Sequence, residues 1–137
     1  MKKIRSKIVI LSMLGSVLTS GLYAYSSEER IADMRQMESA VQQMQKGFLY
    51  NNLQDIQKGA ELLKKHTARI EPPVAKDADS FKRNYAYDIT KREAKKIISL
   101  ADQSVEQYKA HRPKQAMNSF TKILKQCMTC HARIRKW

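Results

Sequence analysis

Apolar residues recur along this chain at alternating intervals of three and four, the period of an α-helix rather than the strict alternation of a half-buried strand. The first such stretch runs from about Ser27 to Leu49, with Met34, Met37, Val41, Met44 and Phe48 forming one stripe. Ser26 or Ser27 suits its N-cap, and Glu28 and Glu29 suit the positive end of its dipole. A second stretch, about Leu53 to Arg69, carries Leu53, Ile56, Ala60, Leu63, Thr67 and Ile70. Gly59 stands in its middle at a cost of roughly 1 kcal/mol, which marks a close helix contact. The segment "EPPVAKD" then breaks the pattern, because Pro72 and Pro73 cannot continue a helix.

The third stretch begins at Asp79 or Ser80 and ends near Ala110, with Phe81, Tyr85, Ile89, Ala94, Ile97, Ala101, Val105 and Tyr108 along it. At about 1.5 Å per residue it exceeds roughly 40 Å and is the longest of the set. Pro113 opens a fourth stretch at a first-turn position, where its missing N–H does no harm. That stretch carries Ala116, Phe120, Ile123, Leu124, Cys127, Cys130, His131 and Ile134. Glycine is scarce, and no hairpin dipeptide interrupts the pattern. Four amphipathic helices with mostly short connections predict an all-α, antiparallel four-helix bundle.

The N-terminus reads differently. "MKKIRSK" is basic, "IVILSMLGSVLTSGL" is apolar, and "LYA" supplies a small residue before Tyr25. Residues 1–24 are therefore expected to be a cleaved secretory signal, leaving 25–137 as one domain exported to the periplasm. The apolar run is shorter than the roughly 20 residues of a bilayer-spanning helix, so no stable membrane insertion is expected after cleavage. Loss of Lys2, Lys3, Arg5 and Lys7 lowers the formal charge from +13 to +9. Such a surface in a cytosolic protein would suit nucleic acid; export redirects it to acidic protein partners or anionic lipid headgroups.

The chemistry is concentrated at the other end. "CMTCH" places both cysteines of the chain, Cys127 and Cys130, beside His131. At about 100° per residue, positions 127, 130 and 131 fall within a sector of roughly 100° on one helix face. That face continues the stripe of Phe120, Ile123 and Ile134. A disulfide across so short a loop would stabilise almost nothing. Zinc needs four ligands, and His66 and His111 are the only other histidines. A thioredoxin-like dithiol sits at a helix N-terminus in a βαβ unit, whereas this pair lies near a C-terminus. The spacing is that of covalent c-type haem attachment: two thioethers to the vinyl groups and an imidazole on the iron. One covalent haem c is thus the expected cofactor. No general acid, base or nucleophile accompanies it, so an enzyme is not expected.

With these residues in place the chain resembles the class II c-type cytochromes, the cytochrome c′ group. The resemblance covers the expected mature chain. It rests on the terminal motif, on Arg135 four positions beyond His131, and on a turn made by Lys46, Gly47 and Tyr50. It also includes the start of the third helix, Asp77 to Lys82, with Phe81 as its aromatic. The resemblance implies thioethers at Cys127 and Cys130, His131 as proximal ligand, and a single haem inside the bundle. Ile31, Phe81, Tyr85, Phe120 and Arg135 are the further candidates for its pocket.

The group divides by what the first helix offers the other face of the iron. Counting back from the turn reaches Ile31, which implies an open, five-coordinate site that binds nitric oxide or carbon monoxide. Met34 follows one turn later and Met37 after it; Met44 lies too far along. Methionine ligation by Met34, with Met37 as second candidate, implies a low-spin carrier that passes single electrons between redox partners. Some relatives pair through their first two helices, so a homodimer is also in view. Three further features carry two readings each. Arg133, Arg135 and Lys136 suit haem propionates or simply the end of the helix dipole. Trp137 suits the haem edge or an outer surface. Lys91, Arg92, Lys95 and Lys96 suit an acidic partner or a solvated face.

Overall fold

The computed structural model is described for residues 25–73 and 79–134, and among these residues there are four helices: α1 (Ser27–Leu49), α2 (Leu53–Arg69), α3 (Ser80–Lys109) and α4 (Pro113–Ile134). The expected cleavage site and the expected roles of Arg135, Lys136 and Trp137 fall on or against residues outside that description.

Local chemistry sets the helix limits. Ser26 caps α1 in a full capping box: its side chain accepts from the Glu29 N–H, and the Glu29 carboxylate accepts from the Ser26 N–H. Asn52 caps α2 by accepting from the N–H groups of Gln54 and Asp55, and Asp79 caps α3 by accepting from Lys82. Asn51 and His111 take left-handed conformations (φ 53° and 57°) in the two tight connections.

The helices pack pairwise as a four-helix bundle. Backbones approach closely between α1 and α2, α2 and α3, and α3 and α4, whereas α1 and α4 hardly meet. Cross-links with opposed residue order show antiparallel neighbours. In the first pair Arg30 Nε donates to the Glu71 carbonyl at 3.0 Å. In the second, Arg133 reaches Glu93 at 3.0 Å while Ser119 bonds Gln107 at 2.8 Å. Met44, Ile56, Leu63, Ala101 and Ile123 form the innermost core.

The stripe that α1 buries is not the one its large residues suggest. Asp33, Met37, Ala40, Met44 and Gly47 are the buried residues, so the helix is turned by part of a step relative to the Met34–Val41–Phe48 line. The small residues explain this, because α2 comes very close. A Cβ added at Gly59 would stand 2.7 Å from the Ala40 carbonyl oxygen and the Met44 nitrogen. One added at Gly47 would stand 2.6 Å from the Ile56 nitrogen. Gly59 marks a close contact, as its position predicts. Met34 and Val41 are left on the flank of α1, only partly buried.

Candidate functional site

Where α1 and α4 fail to meet, a largely apolar cleft of about 230 Å³ opens. All four helices contribute to its wall: Met34, Met37, Glu38 and Val41 from α1, and Thr67 with Ile70 from the end of α2. Thr90, Ala94 and Ile97 come from α3, and Leu124, Cys127, Cys130 and His131 from α4. A neighbouring cleft of about 190 Å³ shares Met34, Ile70, Thr90, Cys130 and His131 with it, and adds Arg30, Ile31 and Ile134. The three residues of the terminal motif and the two methionines singled out on α1 therefore line one common space.

Electrostatics in the cleft favour neutral thiols. Burial pushes the Cys127 thiol up to about 11, and the nearby Cys130 adds to the rise. Burial also raises Cys130, with the Glu93 carboxylate as a second cause. Protonated thiols of this kind are poor thiolate ligands and poor partners in disulfide exchange. Among the described residues no group of three or more His, Cys, Asp or Glu side chains is placed to hold a metal ion.

Two buried hydroxyls on the cleft wall, Thr67 Oγ1 and Thr90 Oγ1, have no hydrogen-bond partner among the described residues. An orphaned buried hydroxyl costs of order 1–3 kcal/mol unless an occupant or water satisfies it. Taken together, an apolar slot, unmet polar atoms, two neutral thiols, an imidazole and facing thioethers fit a large, mostly apolar cofactor. Haem has that chemistry.

The other residues singled out in the sequence are placed as follows. Phe120 does not line either cleft. It packs 5.3 Å from Phe48 at the opposite end, because seven residues of helix put it about 10 Å from Cys127. Phe81 and Tyr85 stack on each other at 6.4 Å but remain 77% and 61% exposed. They stand on the first turns of α3, whose 30 residues overhang the 17 of α2. Ile31 is 48% exposed and borders only the neighbouring cleft, whereas Met37 borders only the main one and Met34 borders both.

Two buried acids escaped sequence reasoning. Glu93 is fully buried against α4, where Arg133 bonds it at 3.0 Å, Lys96 at 3.2 Å and Arg92 at 3.3 Å, and the Gln126 amide donates to it. Burial alone would raise its pKa, but the donors outweigh that and hold it below the usual carboxylate range. Arg133 thus has a partner within the protein. Asp33 is buried between α1 and α2, accepting from the Tyr25 hydroxyl at 2.8 Å and from His66 Nδ1 at 2.6 Å. Arg69 stands 3.5 Å away. Here too burial opposes ionisation and the hydrogen bonds prevail, lowering the pKa. The available signals were slight: Asp33 lies four positions before Met37, and Glu93 is a lone acid in a run of cations one position before Ala94.

Comparison with protein families, with curated proteins and with solved structures returns no match for this chain. Among the described residues no helix is long and apolar enough to cross a membrane.

Proposed function

We propose that this protein is an exported c-type cytochrome of the class II kind, carrying one covalent haem and passing single electrons between redox proteins. The observation that carries the reading is the convergence of Cys127, Cys130 and His131 from α4 with Met34 and Met37 from α1 on one largely apolar cleft. When bound, the haem supplies a one-electron couple at its iron. The protein's own residues do the rest. Cys127 and Cys130 provide thiols for the two thioether links, and His131 provides the imidazole. Met34 would provide a thioether sulfur, with Met37 one turn further along α1 as the second candidate. Thr67 and Thr90 offer hydroxyls to the group or to water held beside it, and Ala94, Ile97 and Val41 keep bulk solvent out.

The neighbouring cleft beside Ile31 supports a second reading, in which α1 leaves the iron open and the space admits nitric oxide or carbon monoxide. One set of measurements separates the two. Extraction of the purified protein with acidified organic solvent is expected to leave the pigment on the polypeptide; free extraction, or no pigment at all, rejects both readings. Carbon monoxide added to the reduced protein is expected to leave its spectrum unchanged. A large shift would replace the electron carrier with the gas-binding protein. Met34→Ala is expected to make the spectrum sensitive to carbon monoxide, and an unaltered variant would reject Met34 as ligand.

A further inference from the structure

On the faces of α3 and α4 turned away from the two clefts lies a third concavity, a solvent-open groove of about 610 Å³. Arg92, Lys95 and Lys96 of α3 and Lys122 and Lys125 of α4 line it, and no acid does. Successive residues turn by about 100°, which sets these five cations at least about 100° from Ala94, Ile97 and Cys127 on their own helices. The basic stretch noted on α3 alone is therefore one wall of a two-helix feature.

The charge balance within the groove is one-sided. Arg92 and Lys96 share Glu93 with Arg133, so three cations meet one buried carboxylate. Lys95, Lys122 and Lys125 have no acidic partner among the described residues. Elsewhere Lys64 bonds Glu61 and Asp102, and Lys109 bonds Glu106, while Lys46 and Lys58 have no acidic partner among the described residues; what sets the groove apart is five cations on one concave surface with no acid lining it. Concentrated, unneutralised charge of one sign focuses potential along a concave surface.

We propose that this α3–α4 groove is a docking surface for a carboxylate-rich segment of a partner protein. Its shape selects that occupant. A groove between two helices accepts a chain segment, whereas a membrane presents a plane and is normally met with apolar residues beside the basic ones. Of the exposed apolar residues of α4, Leu124 lies about 100° or more around the helix from both Lys122 and Lys125, while Met128 lies about 60° from Lys125; neither lines the groove. The inference does not depend on the haem, since the groove and the cleft occupy different faces.

The test titrates the purified protein with polyglutamate at roughly 0.01 M ionic strength, where screening extends over about 30 Å. Two charge-matched variants are compared, Lys95→Glu/Lys125→Glu in the groove and Lys46→Glu/Lys58→Glu on the other helix pair. All four lysines are exposed, so both variants are expected to keep the wild-type helical circular dichroism. The groove variant is expected to weaken binding about tenfold or more, and the control about threefold or less. Amide shifts on binding are expected along α3 and α4 around the five cations. Equal loss in both variants would show mere net-charge attraction and overturn the proposal. Tighter binding to vesicles containing phosphatidylglycerol than to polyglutamate, lost in the groove variant, would overturn it in favour of a lipid surface.

Discussion

The two ends of this bundle are built from the same four helices and have opposite character. At the end bearing both tight connections, Phe48 packs on Phe120 and, edge-on at 5.7 Å, on Tyr108. Ser104, fully buried there, donates its hydroxyl to the Ala116 carbonyl at 3.0 Å. At the end bearing the α1 N-terminus and the α4 C-terminus, α1 and α4 part, and the equally hidden Thr67 and Thr90 hydroxyls have no partner among the described residues. Rings fill the first end and thioether, thiol and methyl groups surround the gap in the second. The lesson is about side-chain size. Where α1 carries Gly47 and Ala40 against α2, the backbones close up; where it turns Met34 and Val41 toward α4, they do not. The two ends therefore differ in whether their buried hydroxyls are satisfied within the protein.

The largest effects should come from adding single groups at the two ends. Gly59→Ala forces a methyl to 2.7 Å from backbone atoms of Ala40 and Met44, and neither backbone atom can rotate away. Overpacking of this kind is expected to cost about 3 kcal/mol, against the fraction of a kcal/mol gained in helix propensity. Ala94→Leu adds three carbons on the cleft wall and is expected to change stability by less than about 1 kcal/mol in the cofactor-free protein, while obstructing haem incorporation. Chemical denaturation of both variants checks the contrast. A tolerant Gly59 site, or an Ala94 site as costly as Gly59, would erase the distinction between a filled end and an empty one.

Next in size is the acid on which the second helix pair depends. Glu93→Gln removes the charge that Arg92, Lys96 and Arg133 share, and is expected to destabilise the protein by about 2 kcal/mol. That is below the usual cost of breaking a fully buried pair, because the cations themselves are half exposed. The pH dependence has a definite sign. Asp33 and Glu93 have folded-state pKa values below their ordinary ones, so an unfolded chain takes up their protons first, near pH 4. Their contribution is complete above that range and is lost as pH falls through the lowered folded values. Acid denaturation followed by circular dichroism is expected to show a shallower pH slope in Glu93→Gln than in the wild type. An unchanged slope would remove Glu93 from the account.

How much of this was legible in the sequence depends on what each residue must agree with. Helix limits depend on neighbours along the chain, and Ser26, Asn52, Pro113 and the alternating stripes announce them. The residues of "CMTCH" stand out because their spacing sets all three on one helix face, and they line the same cleft. Gly59 was readable as a contact, since nothing local recommends glycine in mid-helix. Rotation of a helix about its axis is a different matter, because a turn of less than one step exchanges Met34 for Asp33 at the buried line. Only α2, pressed onto Ala40 and Gly47, decides it. Phe81, Tyr85 and Phe120 lie away from both clefts for a related reason: periodicity says which face a side chain occupies, not whether a neighbour reaches that level of the bundle. The overhang of α3 beyond its shorter partner is invisible until the helices are docked.

The smallest expected effect is the most direct probe of the open end. Replacing Thr90 by Val keeps the shape of the side chain and removes a hydroxyl that has no partner among the described residues. In a background lacking the thiols, Cys127→Ala/Cys130→Ala, the change is expected to leave stability within about 1 kcal/mol, with any shift toward greater stability, because an unmet polar atom is lost from an apolar wall. Ser104→Ala is its counterpart at the filled end and is expected to cost of order 1 kcal/mol or more, since it strips a bonded donor from the Ala116 carbonyl. The sign difference is what matters. If Thr90→Val destabilises the cofactor-free protein as much as Ser104→Ala does, then the Thr90 hydroxyl is already satisfied without an occupant, and the cleft loses its claim to be a site in waiting. If Thr90→Val is neutral there but lowers the denaturation midpoint of the haem-bearing protein, the hydroxyl serves the bound state alone, and the difference between the two ends is one of function rather than of imperfect packing.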